Sequence, residues 1–261
     1  MHQVLSPEDI QHYQEHGYVR LAGAFPPDTT RKALELVWDL LEKRYGYDRR
    51  DPETWHGPTG GLNKRLRANA DLWGTADPRL ASAVTQLLGP DWKVPRHWGT
   101  LLFSVPDHAT APWNVPTGWH WDCDPFKILN GKEGVFIFSF LSQVKPCGGG
   151  TLIVDGSPEL VLRHHRGLSP GGGTHKAFRE SFFKIHPWLV DLHSNTGSPE
   201  SRIHRLMHQT TDIDGIAVRV VELTGEPGDA VLCHPAILHV ASQNLAEVPR
   251  FMRAKRIWCD E

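Results

Sequence analysis

Long apolar runs, an excess of one charge and paired cysteines are all missing from this 261-residue chain. No stretch approaches the roughly 20 apolar residues that a spanning helix needs, and the opening MHQVLSPEDIQHYQEHG has no signal-peptide core. The expectation is a protein without a membrane partner, with the cytoplasm as its default compartment. The 28 Lys and Arg nearly balance 30 Asp and Glu, so nothing draws the chain towards nucleic acid or an anionic membrane. Cys123, Cys147, Cys233 and Cys259 are scattered without a CxxC. That speaks against a zinc knuckle or a disulfide framework and for reduced thiols in or near a core.

Histidine (16) and tryptophan (10), by contrast, are plentiful. Histidine is the commonest metal ligand, so the surplus prompts a search for spaced partners. The length allows one substantial core, and neither a repeat nor a linker divides it. A single domain over 1–261 is expected, mostly helical over 1–92.

Ser6 reads as an N-cap, Pro7 as a first helical residue and Gly17 as the stop of a first helix. YVRLAGAF looks like a short strand. Ala33, Leu34, Val37, Trp38, Leu40 and Leu41 recur at helical spacing, and DPRLASAVTQLLG forms a further helix ended by Gly89. From residue 93 the texture changes to short strand-type runs between turns: GTLLFSVP, TGWHWD, VFIFSFLSQV, GTLIVDG, GIAVRVVEL, GDAVLCHPAILHVA and RFMRAKRIW. This pattern suggests a sandwich or barrel with helices outside it. Residues 156–212 interrupt the strands and hold seven histidines. They read as a solvated, lid-like insertion over the barrel mouth, with a second metal site as the sharper alternative.

Within GWHWDCDP (118–125), His120 and Asp122 are two apart. On a strand they share a face with Cα atoms roughly 6.6 Å apart, close enough to converge on one divalent ion. Asp124 is a rival, but about 13 Å from His120 if the strand continues. An H-x-D alone is weak evidence. Late in the chain, GDAVLCHPAILHVA delivers His239 to a defined face, while His234 reads as a strand-centre core residue. Arg250 follows eleven residues later, where a hairpin across the turn returns the chain beside the metal end of the barrel and the arginine fork can take a carboxylate. Arg253, on the opposite strand face, is an open alternative. Two His, one Asp and an Arg suggest a facial triad that leaves sites for a 2-oxo acid and O2.

These segments resemble the phytanoyl-CoA dioxygenase branch of the Fe(II)/2-oxoglutarate oxygenases. SPEDIQHYQEHGYVRLAGAF, GWHWD, GGGTLIVDGSPE and GDAVLCHPAILHVASQN with Arg250 follow in the family's order. The resemblance implies a double-stranded β-helix (jelly roll, cupin-like), mainly β with flanking helices. It assigns iron to His120, Asp122 and His239 and 2-oxoglutarate to Arg250. It also sets Phe138 and Trp121 beside the co-substrate, with Trp121 where glutamine is common. Departures are Ala241 (Ser242 follows) for a serine, Ser104 for a lysine, and Asp155 and Pro158 in the Pro-Gly-Ser-His turn. Since Asp122 fills the position that halogenating relatives leave for chloride, hydroxylation or another oxidation of an unactivated C–H of a small-molecule substrate is expected, with release of succinate and CO2, rather than halogenation. A cupin-type isomerase or hydrolase and a non-catalytic metal-binding module are the alternatives. The sequence leaves oligomeric state open.

Overall fold

Ser6 caps α1 (Pro7–His16): its hydroxyl accepts from the Asp9 N–H, Asp9 reciprocates to the Ser6 N–H, and Gly17 ends the helix at φ 81°. The computed structural model describes residues 3–56, 61–69, 78–107, 112–169 and 173–259. β1 (Tyr18–Leu21) follows, then α2 (Pro27–Tyr45), α3 (Leu62–Ala68) and α4 (Pro78–Leu88). Asp77, the first residue of the expected DPRLASAVTQLLG helix, lies outside the described residues.

Two antiparallel sheets form the centre, and they do not close into a barrel. The larger has the order β1, β7 (Ala230–Cys233), β3 (Gly134–Phe140), β9 (Arg250–Trp258), β2 (Thr100–Ser104). The smaller has the order β5 (Thr211–Ile213), β6 (Ile216–Glu222), β4 (Thr151–Asp155), β8 (His239–Ala241). Strand alternation splits each into two apolar faces. On β3, Phe136, Phe138 and Phe140 turn inward to meet Ile153 and Met252 between the sheets. Val135 and Ile137 turn outward to Leu80, Val84 and Leu88 of α4. The layers run helix, sheet, sheet, helix, as a jelly roll with flanking helices does.

Three expectations change here. TGWHWD is not a strand: only His120 bridges, to His239. Gly118 at φ 92° bends the chain before it, and the Asp122 carbonyl is taken by the Arg256 side chain instead of a neighbouring strand. GDAVLCHPAILHVA is broken in two, with β7 and β8 in different sheets. His234 therefore sits in a turn, where its Nδ1 accepts from the Ala236 N–H and its own N–H reaches Gly17. Because β8 and β9 also lie in different sheets, the connection from His239 to Arg250 crosses between sheets and is not a hairpin.

The insertion is a fourth correction. Its helices α6 (Ser157–Arg166), α7 (His175–Phe182), α8 (Pro187–His193) and α9 (Pro199–Ile203) pack on the outer face of the smaller sheet. Leu160, Val161, Phe182, Leu189 and Leu192 cover Leu152, Val154, Val218 and Val220 there. On this face the insertion is a packed core and not a solvated loop.

Candidate active site

The space between the sheets opens into a cavity of about 530 Å³, lined among others by His120, Asp122, Phe138, His239 and Arg250. β8 carries His239, held in register opposite Ile153 of β4. Mutual backbone hydrogen bonds tie His120 to His239: His120 N–H to His239 O at 3.1 Å and His239 N–H to His120 O at 2.8 Å. His120 and His239 thus face each other because of one bridge, and Asp122 follows around a turn.

Each imidazole is oriented by its own backbone. His120 Nδ1 donates to Gly118 O (3.0 Å) and His239 Nδ1 to Ile237 O (3.1 Å). That fixes the tautomer and leaves both Nε2 lone pairs free. Nε2 of His120 lies 3.7 Å from Asp122 Oδ1, and Nε2 of His239 lies 3.7 Å from Asp122 Oδ2. These contacts are too long for hydrogen bonds and suit donors that share one ion. The three ligand atoms lie within 4.8 Å of one another, and no other group of this kind occurs among the described residues. The insertion histidines form no second cluster.

The protonation states agree. Contact with His239 is the main force holding the Asp122 carboxyl down at about 2, against the opposing effect of its burial. Burial, then the adjacent His239, lowers His120 below its ordinary value. At neutral pH the group offers a carboxylate and an unprotonated ring, the forms that bind a metal.

Arg250 enters from β9, paired with Ser104 of β2. It is 5% exposed, and its Nε and Nη1 are buried without a hydrogen-bond partner. Burial lowers its pKa to about 10, so it remains charged at neutral pH. A buried guanidinium without an acceptor is costly, and the cavity beside it has room for an anion. Arg253, three residues on, turns to the other face, where its guanidinium lies 4.7 Å from the Phe25 ring. The structure brings Arg250, not Arg253, to the cavity.

Phe138 lines the cavity, with its ring 5.9 Å from that of His239. Trp121 does not: it is 1% exposed and packed edge-on against His165 and Phe182 on the outer side. The residue between two that face inward turns outward, which moves Trp121 away from the co-substrate position expected for it. Trp113 and Trp119 join the same outer core, while Phe126 packs on His165 and Phe178. Asp124 caps the short helix α5 (Pro125–Leu129), accepting from the Phe126 N–H. Ser104 pairs with Arg250, Ala241 and Thr151 line the cavity, and Ser242 is spent on Gly150 O. The sequence reading missed Thr100, Thr151 and Arg256 in the lining. Arg256 was within reach, since it shares Arg250's strand face at an even spacing.

The sequence profile of phytanoyl-CoA dioxygenase (PhyH) matches residues 13–252. The chain belongs to that family. Membership makes it an Fe(II)- and 2-oxoglutarate-dependent oxidoreductase that uses O2. No curated protein sequence matches it, but solved structures share its fold. EctD from S. alaskensis with bound Fe has 17% identity over 97% of this chain and 76% of that one, with a TM-score of 0.53. The carbocyclase SnoK from nogalamycin biosynthesis, described as non-heme and alpha ketoglutarate dependent, has 19% identity. It matches 98% of this chain and 84% of its own, with a TM-score of 0.53. The epimerase SnoN from the same biosynthesis has 15% identity over 97% and 82%, with a TM-score of 0.51. At these identities the likeness is one of fold. No helix among the described residues is long and apolar enough to cross a membrane.

Proposed function

We propose that this oxygenase oxidises an unactivated C–H bond of a small molecule, with hydroxylation as the outcome and succinate and CO2 as co-products. His120, Asp122 and His239 hold Fe(II), and Arg250 takes the distal carboxylate of 2-oxoglutarate. The observation that carries this reading is the buried, unpaired Arg250 fork in the same cavity as the triad. A metal-dependent isomerase, a hydrolase or a passive binding module would leave that charge without a purpose.

Iron, loaded with 2-oxoglutarate and O2, supplies the oxidising power. The chain's own part is placement. The two Nδ1–H bonds aim the imidazoles, Asp122 would supply the third ligand to the iron, and the Arg250 fork would orient the co-substrate. Phe136, Phe138 and Ala254 give the cavity an apolar wall beside the triad. A volume near 530 Å³ suits a small-molecule substrate.

The test is succinate formation from 2-oxoglutarate that requires both Fe(II) and O2 and disappears in Asp122→Ala. Succinate formation that survives this substitution contradicts the assignment. Because the fold also carries a carbocyclase and an epimerase, mass analysis of the product distinguishes hydroxylation (one oxygen gained) from ring closure or inversion.

A further inference from the structure

Arg256 has no part in the scheme above, yet it lines the same cavity. On β9, residues 250, 252, 254 and 256 share the inward face. Arg250 and Arg256 are thus six residues apart, roughly 20 Å along the strand. In the register with β3, Ala254 lies opposite Phe138 and Arg256 opposite Phe136. The His239 ring packs on both phenylalanines, at 5.9 and 5.2 Å. The triad therefore sits between the two arginines.

The two guanidiniums differ in setting. Arg250 is buried, whereas Arg256 is exposed. One Arg256 nitrogen, Nη1, donates to the Asp122 carbonyl oxygen at 2.6 Å. That bond fixes the arm beside the triad, and the rest of the fork makes no hydrogen bond with the described residues. Charge counting then leaves a surplus. The two charges of Fe(II) and the one of Arg250 are met by two on 2-oxoglutarate and one on Asp122. The single positive charge of Arg256 is uncompensated, and no other ionised side chain lines the cavity among the described residues. Phe136 lies directly opposite Arg256, and Leu102 and Phe103 continue the apolar lining towards the Arg250 end.

We propose that the substrate is an anion, an apolar body carrying a carboxylate or phosphate that the free side of the Arg256 fork holds at the cavity mouth. This rests on the oxygenase reading and adds the substrate's charge class. A planar fork with two parallel N–H groups recognises such oxygens bidentately.

The test is equilibrium binding of matched probes (benzoate, phenyl phosphate, benzamide, benzylamine) to anaerobic protein loaded with Fe(II) and saturating 2-oxoglutarate. Binding is followed by perturbation of the visible charge-transfer band of the chelate. The wild type binds one or both anions at least about tenfold more tightly than benzamide, as a charge-assisted pair requires; which anion binds better tells a carboxylate substrate from a phosphate one. Arg256→Lys keeps the preference, Arg256→Gln abolishes it, and Arg256→Glu turns it towards benzylamine. That reversal separates recognition from simple loss of the bond to Asp122, which could not change the sign. A wild type indifferent to probe charge, or an Arg256→Glu variant that still prefers anions, overturns the inference. A wild type that forms no band at all fails the oxygenase reading instead.

Discussion

The two faces of the smaller sheet hold histidines that look alike locally and differ in everything further out. On the inner face are His120 and His239, and on the outer face is His165. All three donate Nδ1–H to a backbone carbonyl, His165 to Val161 O at 2.8 Å, and all three leave Nε2 free. The inner pair converge on one carboxylate across open space. His165 is 1% exposed and closed in by the rings of Trp121, Phe126 and Phe178. Burial lowers its pKa and keeps it neutral. An oriented imidazole is therefore common in this chain; a carboxylate and a cavity at its free nitrogen are what the inner face adds.

Removing one inner ring should have the largest effect. His239→Ala is expected to lower Fe(II) affinity by more than the roughly 100-fold typical of losing an outer partner of a metal ligand. His165→Leu should leave it within about twofold, as isothermal titration would show. From the outer side, Phe182→Ala opens a hole against Trp121 and Leu160. It should cost about 3–5 kcal/mol in denaturant unfolding, with Fe(II) affinity unchanged.

A smaller effect concerns His234, in the turn that carries the chain from one sheet to the other. Burial holds it down at about 4, and its Nδ1 must stay unprotonated to accept from the Ala236 N–H. Below its ordinary value of 6.5 the unfolded chain takes a proton that the folded one refuses until about pH 4. Stability should therefore fall as pH drops through that window, by about 3 kcal/mol from this group. His234→Asn, which can still accept in the turn, should fall less by that amount in urea melts across the window. Parallel curves would contradict the account.

Much of the fold was legible because local signals agreed. Ser6 and Gly17 bound α1, and short strand-type runs between turns marked β2, β3, β4, β6 and β9. The H-x-D spacing and His239 were visible as candidates, but the geometry that joins them was not. Alternation along one strand was the expected reason; a single bridge followed by a turn is the observed one. Alternation shows that Arg250 and Arg253 oppose each other, yet only the pairing of β9 with β2 and β3 tells which faces inward. Trp121 and the insertion were misplaced for a related reason. Aromatics and histidines pack as readily on an outer face as around a cavity mouth, and the pattern of one segment does not say which sheet it will cover.

In the proposed function, the unpaired charge of Arg250 serves the distal carboxylate of 2-oxoglutarate. Anaerobic titration of the Fe(II)-loaded protein with 2-oxoglutarate tests it, read by the visible charge-transfer band of the chelate. The wild type should saturate, and Arg250→Ala should keep its Fe(II) but bind 2-oxoglutarate about 100-fold more weakly, as loss of a buried charge partner implies. Equal binding by the two proteins would contradict it.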